Sequence, residues 1–341
     1  MGHSASKRAC DPRTGALTGL HHKAKEQAQL DPLSSRHRQP QEALVSQRPG
    51  IVSMAAAGTA SAPASSEAAS GSGRGFAYTA YEANAWEATF FKSGVTMLVD
   101  PWLVGELVFA GQRWAYHGEK SEPKVKDLDP EAIAAKAAFI LLSQGLDDHA
   151  HRPTLQRIPR DKPIVASPAG AAVAKQLGFR EVHSVDHGQA ITMGPLTIRA
   201  TMGALVGPPW SKRENGFIIS ENVDGGMRLY YEPHCDYDDG SVSSVGLVDA
   251  IITPASTQLI GGVFPLVKGN EEIIRLIGTL KPQVVVPLIN AGFHAAGPLS
   301  SIVSERGDNF KLPDKLKQNS LGHVRVEFPA KSGESKRIQL T

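Results

Sequence analysis

Four side chains that can carry chemistry stand close together in the sequence: Asp147, Asp148, His149 and His151. They follow the apolar run 138–142 and the interruption Ser143-Gln144-Gly145, so a buried strand would deliver them into a loop. Carboxylates and imidazoles on such loops bind metal ions or transfer protons in many α/β enzymes. The pattern is equally typical of a solvated turn in which Asp148 caps a helix that starts near His149. The residues alone leave both interpretations open.

The composition is that of an ordinary globular chain, with 41% hydrophobic and 21% charged residues among 341. No apolar run reaches the roughly 18 residues that a transmembrane helix needs, so we expect no membrane span. The two cysteines, Cys10 and Cys235, support neither a disulfide framework nor a cysteine zinc site. A basic, aromatic-interleaved surface is also missing from the sequence, which argues against nucleic acid as a partner.

Residues 1–75 differ in character from the rest of the chain. They contain 9 Lys and Arg against 5 Asp and Glu, a net charge of +4, whereas residues 76–341 carry −2 (27 against 29). They lack sustained hydrophobic periodicity and end in a stretch rich in Ala, Ser and Gly, so they cannot bury a core. We therefore predict a disordered targeting segment and linker over 1–75 and one folded domain over 76–341. A plain disordered tail and a start at Met54 are the alternatives.

The folded part alternates between antiparallel strand runs and β–α units. Apolar or alternating runs predict strands at 76–82, 86–92, 95–99, 138–142, 164–166, 182–185, 190–193, 196–202, 216–221, 227–232, 250–253, 284–286 and 324–328. Helices are predicted at 130–137, 168–177 and 271–280. Because hairpins followed by β–α units occur twice, we predict two sheets flanked by helices.

Several landmarks resemble the metallo-β-lactamase superfamily, and within it the broad branch of metal-dependent hydrolases. They follow in the family's order over roughly 76–328: Leu98-Val99-Asp100-Pro101-Trp102, Asn215-Gly216-Phe217, Leu229-Tyr230-Tyr231-Glu232-Pro233-His234, and Lys281 to Pro287. The resemblance implies an α/β (α+β) fold, the αββα metallo-β-lactamase-like sandwich, in which two mixed β-sheets are flanked by helices. It also implies a site at the edge between the sheets.

The site motif departs from the pattern of the family that the chain resembles. The family signature Thr-His-x-His-x-Asp-His corresponds to 143–149, where Gln144 and Leu146 replace the first two histidines. The third histidine of the first metal site is also missing, since 201–204 reads Thr-Met-Gly-Ala. The resemblance therefore implies that the two-metal site is lost. The altered motif is similar to that of a plant and cyanobacterial subset, which together with the head predicts a chloroplast protein, with the mitochondrion as the alternative.

Half of the family's second metal site is retained. Asp148 and His149 keep the Asp-His pair, and His234 stands where the family has a bridging aspartate. The last family histidine is missing, because Leu288-Ile289-Asn290 follows that strand. The resemblance thus implies one divalent metal ion per chain on Asp148, His149 and His234, with zinc favoured over iron or manganese, or no metal at all.

The residues around this trio would assist it in a metal-dependent reaction. Asp147 or His151 would act as the proton shuttle to a metal-bound water. Asp100 would orient a ligand histidine, which is the role its family position suggests.

Three functions stay open at this point. The first is a metal-dependent hydrolase with a remodelled single-metal site that acts on an unidentified small molecule. The second is a non-catalytic binding or structural descendant of the fold, in which these polar side chains cap loops and bond on the floor of a cleft. The third is a non-haem iron redox enzyme, since two histidines and one carboxylate form the facial ligand set of such enzymes. The sequence indicates neither the substrate nor the oligomeric state.

Overall fold

The computed structural model describes residues 73–207, 210–289 and 292–341. The predicted targeting segment lies outside the described residues except for 73–75, so it stays a prediction.

The described residues form twenty strands and six α-helices. The strands are β1 Arg74–Ala80, β2 Trp86–Phe90, β3 Thr96–Val99, β4 Leu107–Val108, β5 His117–Lys120, β6 Phe139–Leu142, β7 Ile164–Ala166, β8 Val182–Ser184, β9 Ala190–Met193, β10 Leu196–Met202, β11 Asn215–Glu221, β12 Arg228–Tyr231, β13 Ala250–Thr253, β14 Thr257–Ile260, β15 Phe264–Lys268, β16 Val284–Pro287, β17 Phe293–Ala296, β18 Val303–Arg306, β19 Arg325–Val326 and β20 Ser335–Leu340. The helices are α1 Pro130–Lys136, α2 Arg152–Gln156, α3 Pro168–Gln176, α4 Asp239–Ser243, α5 Gly269–Leu280 and α6 Leu312–Gln318.

Two seven-stranded mixed sheets face each other. The first has the order β20-β1-β2-β3-β6-β7-β8 and the second β19-β16-β13-β12-β11-β10-β9. In the first sheet β20 to β3 pair antiparallel and β3 to β8 pair parallel. In the second, β9 to β12 pair antiparallel and β12 to β19 pair parallel. The predicted fold class is confirmed by this arrangement.

The core follows from the strand and helix periodicities. Alternate residues of β2, including Trp86 and Phe90, enter the buried cluster between the sheets, together with Phe217 and Tyr231 of the second sheet. Helices α1 and α3 cover the outer face of the first sheet, and α4, α5 and α6 cover that of the second. In α5 the buried residues recur at helical spacing, so one face of the helix packs on the sheet. The result is the predicted αββα layering.

The prediction that the strand 324–328 closes the fold is wrong. Only Arg325–Val326 of the predicted strand 324–328 is a strand, and β20 closes the fold instead by pairing with β1, from Arg74 with Leu340 to Thr79 with Ser335. β20 reads Ser-Lys-Arg-Ile-Gln-Leu, and only Ile338 and Leu340 of it are apolar and buried. No apolar run therefore marks this segment as a strand in the sequence. The same pairing explains why β1 begins at Arg74, earlier than the predicted Phe76.

No helix in the described ranges is both long and apolar enough to cross a membrane.

Two further sheets of three strands each lie beside the sandwich, in the orders β15-β14-β18 and β17-β5-β4. Their strands are short, and sequence periodicity did not predict them.

Lys120 on β5 is a buried cation beside the first sheet. Its Nζ donates to the carbonyl oxygen of Tyr81 and lies 4.7 Å from the centroid of the Trp102 ring. Burial lowers the pKa of Lys120 to about 8, although Glu82 acts to raise it. The folded chain therefore releases this proton at lower pH than the unfolded chain, whose lysine titrates near 10.5.

We expect the free energy of unfolding to rise between pH 8 and 10.5 because the unfolded state binds more protons there. Below pH 8 both states hold the proton, so the cost of burying the charge is present in full. Lys120→Met should reduce the rise by about 1–3 kcal/mol, measured by urea denaturation across this window. The exposed variant Lys126→Met is the control, and an unchanged rise in Lys120→Met would contradict the assignment.

Candidate functional site

The candidate site lies where strands of both sheets end. Asp100 follows β3, Ser143 and Gln144 follow its parallel neighbour β6, and His234 follows β12 of the second sheet. Neighbouring parallel strands end at the same sheet edge, which brings their following loops together. Gly145 is required here, because a Cβ at this position would lie 2.9 Å from the carbonyl carbon of Ala169 in α3.

Asp100 is the hub of the site. It is fully buried and has a φ of 42°, a left-handed conformation that residues other than glycine rarely adopt. Its Oδ1 accepts from the Ser143 backbone N–H at 2.7 Å. Its Oδ2 accepts from the Ser143 hydroxyl, from the Tyr231 hydroxyl at 2.7 Å, and from His149 Nδ1 at 2.9 Å. The predicted contact between Asp100 and a site histidine is present.

His149 lies between two carboxylates. Its Nδ1 bonds to Asp100, and its Nε2 lies 3.3 Å from Asp148 Oδ2 and 3.2 Å from the amide nitrogen of Asn84. Burial acts to lower the pKa of His149, but the charges of Asp148 and Asp100 outweigh it and raise this pKa to about 10. The ring is therefore an imidazolium at neutral pH when no other cation is bound.

Asp148 is the partner of this imidazolium. Burial acts to raise the pKa of Asp148, but the charge and the hydrogen bond of His149 outweigh it, so this pKa is lowered and the carboxyl is ionised. Asn84 Nδ2 donates to Asp148 Oδ2 at 3.2 Å, whereas Oδ1 is buried without a hydrogen-bond partner among the described residues. An ionised oxygen in that position favours a cation or a proton donor nearby.

His234, the third residue of the predicted metal trio, lies beside His149, although the three side chains do not stand together as a ready metal site among the described residues. Its ring centroid lies 5.4 Å from that of His149, with the ring planes at 85°, and its Nδ1 lies 3.0 Å from Gln144 Nε2. Burial and the positive charge of His149 together lower the pKa of His234 to about 4, against the charges of Asp148 and Asp236, which act to raise it. The ring is thus neutral at physiological pH, which is the form that binds metal ions.

The loop that carries His234 is held by a buried carboxyl. Glu232 Oε2 accepts from the backbone N–H groups of His234 at 3.1 Å and of Asp236 at 2.8 Å. Burial raises the pKa of Glu232 to about 8. Asp236 in turn pairs with Arg213 at 2.6 Å and Lys268 at 3.0 Å. These contacts set the backbone of the loop, and sequence reasoning did not identify Glu232 as part of the site.

The two predicted proton shuttles, Asp147 and His151, bond to groups outside the Asp148–His149 pair. Asp147 Oδ2 accepts from the backbone N–H of Ala110 at 2.9 Å. His151 is the N-cap of α2: its Nδ1 accepts from the Thr154 N–H at 3.3 Å, and its Nε2 lies 3.0 Å from the carbonyl oxygen of Glu106. Both ring nitrogens of His151 are therefore engaged. The alternative helix cap at Asp148 is wrong, since α2 begins after His151.

The capping role of His151 can be measured. We expect His151→Ala to lower the free energy of unfolding by about 1–2 kcal/mol, because the N–H of Thr154 loses its acceptor. His151→Asn should recover most of this loss, since asparagine is a good N-cap. Urea denaturation of both variants gives the comparison, and an asparagine variant as unstable as the alanine variant would exclude a capping role.

Only two of the three predicted ligands, Asp148 and His149, have donor atoms at a spacing that suits one cation. In the described part of the chain, no three His, Cys, Asp or Glu side chains stand together as a ready metal site. The pair of Asp148 Oδ2 and His149 Nε2 does fit, because two tetrahedral ligands at about 2.1 Å from an ion lie roughly 3.4 Å apart. The hydrogen bond between Asp100 Oδ2 and His149 Nδ1 would orient this ring, as a carboxylate on the second nitrogen usually does for a ligand imidazole. Asp148 Oδ1 is a further unpartnered acceptor at the pair.

Some contributors were not recognised as such in the sequence. Asn84 contacts both members of the Asp148–His149 pair, and the Tyr231 hydroxyl bonds to Asp100. Asn84 lies in the connection between β1 and β2, where its only sequence signal was its position at a strand junction. Gln144, at a position where the family has a histidine, contacts His234 instead of serving as a ligand.

The fold and the site edge together define a protein of the metallo-β-lactamase-like αββα class. A family model described as Beta-lactamase superfamily domain matches residues 79–289, which is more than half of the chain. The chain therefore belongs to the beta-lactamase superfamily. A comparison with curated protein sequences finds no significant match.

Solved structures show the same fold at low sequence identity. A possible metal-dependent hydrolase from Veillonella parvula has a TM-score of 0.55 and 15% identity, covering 78% of this chain and 99% of its own. An isothiocyanate hydrolase from Delia radicum gut bacteria has a TM-score of 0.56 and 15% identity, covering 77% and 99%. Igni18, a metallo hydrolase from Ignicoccus hospitalis, has a TM-score of 0.50 and 17% identity, covering 78% and 99%. These similarities show that the fold is shared.

Proposed function

We propose that this protein is a metal-dependent hydrolase with a remodelled site for one divalent cation on Asp148 and His149, with His234 as the third ligand. The observation that carries the proposal is the Asp148–His149 pair, whose facing atoms are 3.3 Å apart while Asp100 holds the far ring nitrogen. One carboxylate and two imidazoles suit zinc, with iron and manganese as alternatives.

The bound ion would lower the pKa of a water from about 15.7 toward 7 and polarise a carbonyl or phosphoryl oxygen. His149 must release the proton on Nε2 to bind the ion, while Asp100 keeps the ring oriented through Nδ1. For Nε2 of His234 to bind the ion, its Nδ1 must carry the proton, so the Gln144 amide at 3.0 Å must be turned so that Oε1, buried without a partner among the described residues, accepts from Nδ1–H. Asp148 Oδ1, which has no partner among the described residues, is the base that this site offers. We assign no proton transfer to Asp147 or His151, because Oδ2 of Asp147 and both ring nitrogens of His151 bond to groups outside the pair.

Metal removal and replacement test this function. The full chain is treated with a chelator and reloaded with Zn²⁺, Mn²⁺ or anaerobic Fe²⁺, and hydrolysis of 4-nitrophenyl acetate and bis(4-nitrophenyl) phosphate is followed. We expect one ion to restore turnover lost on chelation and to raise the melting temperature. The proposal fails if no ion raises the melting temperature and no hydrolysis depends on metal.

The non-catalytic alternative has one observation in its favour. Asp100 and Asp148 already neutralise the His149 imidazolium, so this cluster is balanced to within one charge without a metal ion. A purely structural cluster would keep His149 protonated when zinc is added. Proton release on zinc addition, measured in a weakly buffered solution, separates the alternatives because only a ligand histidine gives up its proton.

A further inference from the structure

Glu214 carries a half-buried carboxyl at the end of the connection between β10 and β11. Its backbone N–H donates to the carbonyl oxygen of Ala204 at 2.7 Å, and its own carbonyl oxygen accepts from the N–H of Gly203 at 2.8 Å. A Cβ on Gly203 would lie 2.6 Å from the carbonyl carbon of Asn215, so this close crossing requires glycine. The backbone of Glu214 is therefore fixed by the end of the β10–β11 pair.

The side chain of Glu214 faces the edge of the first sheet at which the candidate site lies. A hydrogen bond joins it to the side chain of Ser167, the residue that follows β7. The backbone N–H of Ser167 donates to the carbonyl oxygen of Leu142 at 3.0 Å. Leu142 directly precedes Ser143, whose hydroxyl lies 3.0 Å from His149 Nδ1. Glu214 thus approaches the proposed metal-binding pair from the second sheet.

The charges that act on Glu214 come from both sheets. Burial raises the pKa of Glu214 above the usual range of a glutamate, and the charge of Asp100 acts in the same direction. The charges of His149 and Lys212 act to lower this pKa, but burial outweighs them. His187 faces the backbone of Glu214, with its Nε2 3.2 Å from the carbonyl oxygen. The carboxyl of Glu214 therefore keeps its proton to a higher pH than an exposed glutamate does.

Two carboxyls with opposite tendencies now stand in one site. Where the surroundings of two carboxyls push their pKa values apart, the one that keeps its proton suits proton donation and the ionised one suits proton acceptance. Asp148 is the ionised carboxyl, and its Oδ1 has no partner among the described residues. Glu214 is the other, and it is partly open to solvent, so a substrate can reach it.

We propose that Glu214 is the proton donor to the leaving group in the hydrolysis that the proposed function assigns to this site. The oxygen of the attacking water bonds to the acyl carbon, and one water proton passes to Asp148 Oδ1. The bond between the acyl carbon and the leaving oxygen breaks, its electron pair stays on that oxygen, and the proton of Glu214 converts it into a hydroxyl. Solvent then carries the proton from Asp148 to Glu214.

This role indicates a substrate class. Esters of ordinary alcohols need such a donor because an alkoxide is too basic to leave without a proton, whereas an activated phenol ester does not need it. The inference rests on the proposed function, since a proton donor without an attacking water would have no reaction to serve.

Two esters with the same acyl group test the proton donor. The full chain loaded with zinc hydrolyses ethyl acetate or 4-nitrophenyl acetate, beside Glu214→Gln and the control Glu181→Gln, which alters an exposed carboxylate bonded to His183. Glu214→Gln should lower kcat about 100-fold for ethyl acetate but less than about threefold for 4-nitrophenyl acetate, whose phenolate leaves without a proton. The control should change neither rate.

The pH profile adds a second signature. With ethyl acetate, kcat of the parent chain should fall as pH rises through the pKa of Glu214, because the ionised carboxyl has no proton to donate. Glu214→Gln should lack this fall.

Titration of Glu214 gives a readout that does not depend on turnover. In carbon-13 NMR of the full chain labelled at its glutamate carboxyls, with chelator present, the Glu214 resonance is the one missing from Glu214→Gln. Its midpoint should lie above 4.5, the ordinary value of a glutamate. Zinc in place of the chelator should lower the midpoint, because a nearby cation favours the carboxylate.

The possible failures are distinct. Equal losses for the two esters in Glu214→Gln, an unchanged rate with ethyl acetate, or a midpoint that is not raised or that zinc does not move would overturn the proton donor alone. A parent chain that hydrolyses neither ester with any metal would overturn the proposed function, and the proton donor with it.

Discussion

Replacing Asp100 by alanine should lower the free energy of unfolding by about 3–5 kcal/mol, the largest stability effect that we expect from a single site residue. The change leaves His149 Nδ1, the Tyr231 hydroxyl and the Ser143 amide without their acceptor in a fully buried position. Urea denaturation at neutral pH in the presence of a chelator measures the loss without any contribution from bound metal.

Asp147→Ala is the matched control for this change. Its carboxylate lies in the loop after β6, but it accepts one bond at the surface, from the Ala110 N–H. We expect this variant to lose less than about 1 kcal/mol. Asp100→Asn should fall between the two, because it keeps an acceptor oxygen but loses the charge. Equal losses for Asp100→Ala and Asp147→Ala would show that the hub does not stabilise the fold.

Asp148→Asn should weaken zinc binding by more than about 100-fold and abolish metal-dependent turnover. Loss of a group that only orients a ligand costs 10- to 100-fold, and removal of a ligand charge should cost more. The variant keeps the size of the side chain and its contact with Asn84, so the fold should persist. Competition with a chromophoric chelator measures the affinity.

The neighbouring variant Asp147→Asn removes the same charge from the same loop but not from the pair. Its zinc affinity should stay within about threefold of the parent chain, because the Asp147 carboxylate is bonded at the surface, where water and salt screen its charge. If Asp147→Asn loses as much affinity as Asp148→Asn, the effect is a general electrostatic one and the ligand assignment is wrong.

The fold could be predicted because its landmarks are local in sequence. Asp100-Pro101-Trp102 after a hairpin strand and the regular spacing of apolar residues in α5 each reflect one element. Strand β20 could not be predicted, because it has only two buried residues and forms by pairing with β1, which is distant in sequence. The same holds for the small sheets, whose short strands depend on pairing across the chain.

The site divides in the same way. The Asp100–His149 contact could be predicted from the resemblance, because the family position of Asp100 suggests that it orients a ligand histidine. The cap formed by His151 could not, because it depends on where α2 begins and on the carbonyl oxygen of Glu106 in another loop. The contacts of Asn84 with His149 and of Gln144 with His234 could not be predicted either. They depend on how separate loops come together in the folded chain.

The most direct test of the central claim is the metal content of the full chain, purified without chelators and without an affinity metal, and compared with Asp148→Asn and His234→Ala. Mass spectrometry quantifies zinc, iron and manganese per chain. Our account predicts about one metal ion per chain, lost in both variants but retained in Asp147→Asn. A chain that holds no metal after reconstitution with each of the three ions, or variants that keep the full amount, would contradict the proposed site.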